Sequence, residues 1–109
     1  TDEAKRYETF LACQLLARLM LWNDASGEEF QLFYVRNKQK QETDFLIVRG
    51  RDPWLLVEAK LADGNVDAHH HATAQALGGI PVVQLCLEPG VASRQKADVY
   101  RLSANRLLN

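Results

Sequence analysis

Glu42-Thr43-Asp44-Phe45-Leu46-Ile47-Val48 and Trp54-Leu55-Leu56-Val57-Glu58-Ala59-Lys60 decide how this chain is read. Both stretches are apolar, β-branched and aromatic. The turn-forming Arg49-Gly50-Arg51-Asp52-Pro53 separates them, so they predict two neighbouring strands. Strand side chains alternate between faces, which sends Glu58 and Lys60 to the same side. A charge inside an otherwise buried strand is costly unless something compensates it. Two carboxylates converging on one point repel, and a divalent cation is the usual remedy, so Asp44 with Glu58 reads as a hard-metal site. The hairpin carries a parity condition: the two acids share a face only if an odd number of residues forms the loop. A loop of Gly50-Arg51-Asp52 pairs Arg49 with Pro53 and sets Asp44 opposite Glu58. A two-residue loop sets Asp44 opposite Val57 instead.

Outward from this pair, residues from about Glu3 to Trp22 predict one long helix, with Asp2 as cap and no Gly or Pro inside. Asn23 to Glu29 reads as a loop, Phe30 to Asn37 as a strand and Lys38 to Gln41 as a polar turn. Downstream, Val66 to Leu77 is Ala-rich and helical, with Asn65 as cap and Gly78-Gly79 as its end. Ile80 to Leu87 is a nearly all-apolar strand, as expected where both faces are covered. A short strand near Asp98 to Leu102 and a helical turn near Ser103 to Leu108 follow. The order αβββαββα predicts an α/β sandwich, with an αβββαβ core and a mixed sheet flanked by helices.

On the first helix, Leu11, Ala12, Leu15, Leu19 and Trp22 form one apolar stripe, and Glu8 falls within it. Two readings of Glu8 stand. It is a first-turn acid favoured by the helix dipole with its head in solvent, or a third acid aimed at Asp44 and Glu58. Phe10, Cys13, Ala17 and Leu21 make a second apolar face. One sheet covers only one side, so this face implies a further domain or a second subunit.

At 109 residues, 47% hydrophobic and 25% charged, the chain has the size and composition of one globular domain spanning 1–109. Its net charge of −1 and pI near 6.2 exclude a surface that grips nucleic acid by bulk electrostatics, so such contact must be local. No apolar run approaches membrane-spanning length and nothing resembles a signal peptide. Two cysteines, Cys13 and Cys86, are too few for a disulfide framework. The expectation is a reducing cytoplasm, with both thiols as small core residues. The chain opens on Thr1 and its one methionine is Met20, which suggests a domain cut from a longer protein.

Phosphodiester hydrolysis needs a sink for developing negative charge and a water made nucleophilic at neutral pH. Bound Mg²⁺ supplies both and takes carboxylate oxygens. Asp44 and Glu58 suit it, and Lys60 beside them can orient the water or neutralise charge on phosphate. Arg36, Lys38 and Lys40 give the first hairpin a basic tip, which is either solvated or a phosphate contact led by Arg36. Three adjacent histidines, His69-His70-His71, point ~100° apart in a helix and are not expected to close on one ion. Trp22 and Trp54 read as core rather than as stacking platforms for bases.

Glu8, Asp44 and Glu58-Ala59-Lys60 on this frame resemble the PD-(D/E)xK nuclease superfamily, the restriction-endonuclease-like fold. More narrowly, the chain resembles the domain of unknown function that ends many prokaryotic AAA+-type ATPases. Tyr7-Glu8-Thr9-Phe10, Phe33-Tyr34-Val35-Arg36 with Glu42-Thr43-Asp44-Phe45, Leu56-Val57-Glu58-Ala59-Lys60, Gly79-Ile80-Pro81 and Asp98-Val99-Tyr100-Arg101-Leu102-Ser103 carry the likeness. It implies Mg²⁺ or Mn²⁺ held by Asp44, Glu58 and the Ala59 carbonyl, a catalytic Lys60 and a supporting Glu8. It also implies a nucleic-acid substrate (DNA ahead of RNA), an N-terminal ATPase partner and a homodimer. From the second helix it implies a polar residue near the site, either His71 or Gln75. The superfamily's proline before the aspartate is replaced by Thr43, and the chain has no GxxxxGK[ST] phosphate loop. Two alternatives stay open beside the nuclease: a non-catalytic docking or dimerisation module, and a domain that binds DNA ends without cutting them.

Overall fold

The computed structural model describes residues 2–36 and 43–108. Helix α1 (Asp2–Ser26) has no Gly or Pro inside, and Asp2 and Glu3 put negative charge in its first turn, where the dipole favours it. It continues past the expected end at Trp22 because the polar residues there find local partners. Ser26 Oγ donates to the Trp22 carbonyl at 2.7 Å, and Gly27, at φ 73°, takes the left-handed position that closes the helix. Asn23 then fastens the helix to the first strand. Its Oδ1 accepts from Phe30 N at 2.6 Å and its Nδ2 donates to the Phe30 carbonyl at 3.1 Å.

The remaining elements are β1 (Phe30–Arg36), β2 (Thr43–Arg49), β3 (Asp52–Lys60), α2 (Ala68–Ala76), β4 (Val82–Cys86), β5 (Ala92–Lys96), β6 (Val99–Ser103) and α3 (Ala104–Leu108). They make an α/β fold around one mixed sheet in the order β1-β2-β3-β4-β6-β5. β1, β2 and β3 form an antiparallel meander, β3, β4 and β6 run parallel, and β5 returns antiparallel to β6. β4 is buried along its whole length, as its apolar sequence predicts. β5 was not expected from the sequence. Ala92-Ser93-Arg94-Gln95-Lys96 is polar because an edge strand has a neighbour on one side only and carries charge without penalty. α2 begins at Ala68 rather than Val66, with Asp67 instead of Asn65 at its cap position. Val66 is itself a core residue, and its amide donates to Gln95 Oε1 at 2.9 Å, a bond made outside the helix.

Two apolar clusters sit on opposite faces of the sheet. Tyr7, Leu11, Leu15 and Leu19 of α1 pack on Phe45, Ile47, Val57, Val83 and Leu85. Leu56, Val82 and Val99 face the other way, onto Val66 and Ala74. Tyr7 ties the first layer together, its buried hydroxyl donating to the Leu85 carbonyl at 3.0 Å. Burial, aided by the nearby Cys86 thiol, raises the Tyr7 phenol well above its ordinary value. Cys86 is buried but Cys13 is exposed on α1, contrary to expectation, because it lies on the side of the helix turned from the sheet. Phe10 (53% exposed) and Leu21 (58%) share that outer side with Leu16 and Met20. Among the described residues no helix is long and apolar enough to cross a membrane.

The β2–β3 hairpin meets the parity condition by an unexpected route. Arg49 pairs with Asp52, so the loop is the two residues Gly50-Arg51, not three. Gly50, at φ 64°, supplies the positive φ that a tight two-residue turn demands. A bulge follows: Val48 pairs with Pro53 and Ile47 with Leu55, leaving Trp54 without a partner across the ladder. Loop and bulge together take three residues out of pairing, an odd number, and Asp44 stands opposite Glu58. The extra residue is held by rings. Trp54 packs against Phe30 (centroids 5.2 Å) and Trp22 (6.2 Å), at 37% exposure, a rim of the core rather than its centre.

Candidate functional site

On the α2 side, the sheet changes character along its strands. Leu56, Val82 and Val99 are aligned and apolar. Two residues further along the parallel strands, the next row is polar. Asp44, Glu58, Gln84, Arg101 and Ser93 are partners in unbroken register across β2, β3, β4, β6 and β5. The row beyond it holds Lys60, Cys86 and Ser103. Alternation along β3, β4, β6 and β5 puts Glu58, Gln84, Arg101 and Ser93, with Lys60, Cys86 and Ser103, on the face that α2 covers. The carboxyl ends of parallel strands are where open α/β sheets place their sites.

Glu58 is fully buried, and its Oε1 lies 3.2 Å from His70 Nε2 and 3.9 Å from Lys60 Nζ. His70 is equally buried and enters from α2. Gln84 donates its Nε2 to the Gly64 carbonyl at 2.8 Å, while its buried Oε1 has no hydrogen-bond partner among the described residues. Arg101 donates through Nη1 to both oxygens of Asp63, at 3.3 and 3.2 Å, and through Nη2 to Ser93 Oγ at 3.1 Å. The Asp63-Gly64 loop therefore closes over the middle of the polar row. Burial, then the surrounding acids, push the Cys86 thiol up, and the Gln84 contact only partly offsets them. Cys86 is therefore held as a neutral thiol rather than a nucleophile.

The structure brings Asp44, Glu58 and Lys60 to adjacent positions, Asp44 through the register of its strand. Glu8 is half-buried on α1, which packs on the opposite face from α2. Ala59 faces that same α1-side cluster. Arg36 ends β1, paired with Thr43 beside Asp44; Lys38 and Lys40 lie outside the described residues. His71 and Gln75 line a hollow with Val82, Lys96 and Asp98 instead of facing Glu58. The helix residue that reaches Glu58 is His70. A sequence signal exists for it: His70 and Ala74 are spaced by four within α2, which puts both on the buried face of the helix.

The three histidines do not close on one point, as expected, but two of them come together with an aspartate. The His69 and His70 rings lie side by side, centroids 3.9 Å apart. Asp67, His69 and His70 each offer a ligand atom, all within 4.8 Å of one another, a group able to hold a metal ion. His71 is not in it.

Fold and site together define an α/β domain whose mixed sheet carries a polar row, buried at Glu58 and Gln84, beside a group of side chains able to hold a metal ion. Compared with protein-family models, curated proteins and solved structures, the chain finds no match.

Proposed function

We infer that this is a restriction-endonuclease-like domain that hydrolyses nucleic-acid phosphodiester bonds with Mg²⁺ or Mn²⁺. The observation that carries the reading is the register that sets Asp44 directly opposite Glu58, with Lys60 Nζ 3.9 Å from the Glu58 carboxylate. The donor set suits a hard cation. It consists of two carboxylates on neighbouring strands and, next in the row, a buried amide oxygen on Gln84 that has no hydrogen-bond partner among the described residues. Asp44 and Glu58, with the Ala59 carbonyl, would hold the ion, which supplies charge neutralisation and a water of lowered pKa. Lys60 neutralises charge on the scissile phosphate, and Arg36 at the end of β1 positions the strand, DNA in preference to RNA. Glu8, on the opposite face of the sheet, takes no part in this reading, and the ATPase-linked setting of the look-alike domains supplies the context.

The exposed side of α1 supports a second reading, a module that docks on an ATPase half or on a second copy. Phe10, Leu16, Met20 and Leu21 are each half or more exposed there. One experiment separates the two. Supercoiled plasmid is incubated with wild type and Asp44→Ala in Mg²⁺ or Mn²⁺, and Mn²⁺ binding is measured by calorimetry. Nicking and Mn²⁺ binding that both vanish in Asp44→Ala are expected. A wild type that neither binds nor nicks refutes the hydrolytic reading and leaves the docking module.

A further inference from the structure

We propose that Asp67, His69 and His70 form a site for a first-row transition metal of the Zn²⁺ type, with the Glu58 carboxylate orienting His70 from behind. The proposal shares Glu58 with the hydrolytic reading but does not rest on it.

The ligand atoms of the three residues lie within 4.8 Å of one another, so a small closing motion brings them onto one ion. Asp67 occupies the cap position of α2, where an aspartate ordinarily accepts from the first amides of the helix. Here its side chain makes no such bond, and the carboxylate lies with the imidazoles instead. Asp67 and His70 stand at i and i+3, the spacing that puts two ligands on one helix face. His70 Nε2 faces Glu58 Oε1 at 3.2 Å, so Nδ1 is the nitrogen that meets the ion. A metal-bound histidine that gives its other N–H to a carboxylate is the arrangement that fixes ring and tautomer at zinc sites. Two imidazoles and one carboxylate favour Zn²⁺, Co²⁺ or Ni²⁺ over Mg²⁺, which prefers an all-oxygen shell. Three protein ligands leave a fourth position for water. Asp67 is exposed and His69 half-exposed, which gives the ion a way in, while buried His70 forms the floor.

The test uses the untagged chain, titrated with Zn²⁺ by calorimetry and with Co²⁺ by visible absorption. The expected result is one ion per chain, with the intense d–d bands of four-coordinate Co²⁺. His69→Gln and Asp67→Asn, both at accessible positions, each weaken Zn²⁺ by about tenfold or more, and Glu58→Gln by about tenfold. His71→Gln and Asp44→Asn leave it unchanged. Absence of stoichiometric Zn²⁺ binding, or affinity that survives both His69→Gln and Asp67→Asn, overturns the proposal. Loss through His71→Gln overturns it as well. Nicking that fails in Asp44→Asn while Zn²⁺ binding persists separates the fate of this site from that of the hydrolytic one.

Discussion

Replacing Tyr7 by Phe removes one oxygen atom from the seam between α1 and the sheet. That oxygen is buried and donates to the Leu85 carbonyl at 3.0 Å. A buried hydrogen bond of this kind contributes about 1–1.5 kcal/mol net, so Tyr7→Phe is expected to unfold about 3–6 °C below wild type near pH 8. The pH dependence gives the sharper discrimination. The folded state holds the phenol neutral well above its ordinary value of 10.0, chiefly because the group is buried and secondarily because of Cys86. In the unfolded chain the phenol ionises normally, so above about pH 10 the unfolded state releases a proton that the folded state retains. Wild type then loses about 1.4 kcal/mol per pH unit through this group, a loss the Phe variant lacks. The contribution is present in full below pH ~10 and declines as pH rises toward the folded value. The stability gap should close near pH ~11 and reverse above it. Urea unfolding followed by Trp22 and Trp54 fluorescence at several pH values measures the difference directly. Other groups titrate in both proteins and cancel. Equal stabilities near pH ~8, or a gap that stays constant through pH ~11, would refute the seam as described.

Gly50→Ala tests the loop that sets the hairpin. An added Cβ meets nothing within 4 Å, so the cost is conformational, arising at φ 64°, and urea midpoints should report about 1 kcal/mol of destabilisation. No loss there would count against the tight two-residue turn. Gln84→Leu forgoes the bond to the Gly64 carbonyl but also removes a buried acceptor that has no hydrogen-bond partner among the described residues. Its stability should therefore stay within about 1 kcal/mol of wild type. Its Mn²⁺ affinity, by calorimetry, should fall several-fold, and unchanged affinity would exclude the amide from the metal's surroundings.

The local signals in this chain were strong where one physical rule acted alone. A run without Gly or Pro made α1, alternation placed Glu58 and Lys60 together, and continuous apolarity announced the buried β4. Asp44 and Glu58 stand opposite one another through an odd number of unpaired residues, as parity requires, but a two-residue turn and a bulge supply that number in place of a three-residue loop. A bulge has no local signature; Trp54 leaves the ladder because Trp22 and Phe30, distant in sequence, give its ring a place to pack. Edge strand β5 was equally hidden, since its existence depends on β6 offering hydrogen bonds and not on any pattern of its own.

The polar row belongs wholly to the tertiary level. Asp44, Glu58, Gln84, Arg101 and Ser93 come from separate strands and align only once parallel crossovers and an antiparallel return fix four registers at once. His70 shows the division most plainly. Its spacing from Ala74 within α2 gives the way it turns, toward the sheet. What it meets there, a buried carboxylate 3.2 Å away, was decided by the packing of α2 over β3, because periodicity gives a side chain its direction and only the fold supplies its partner.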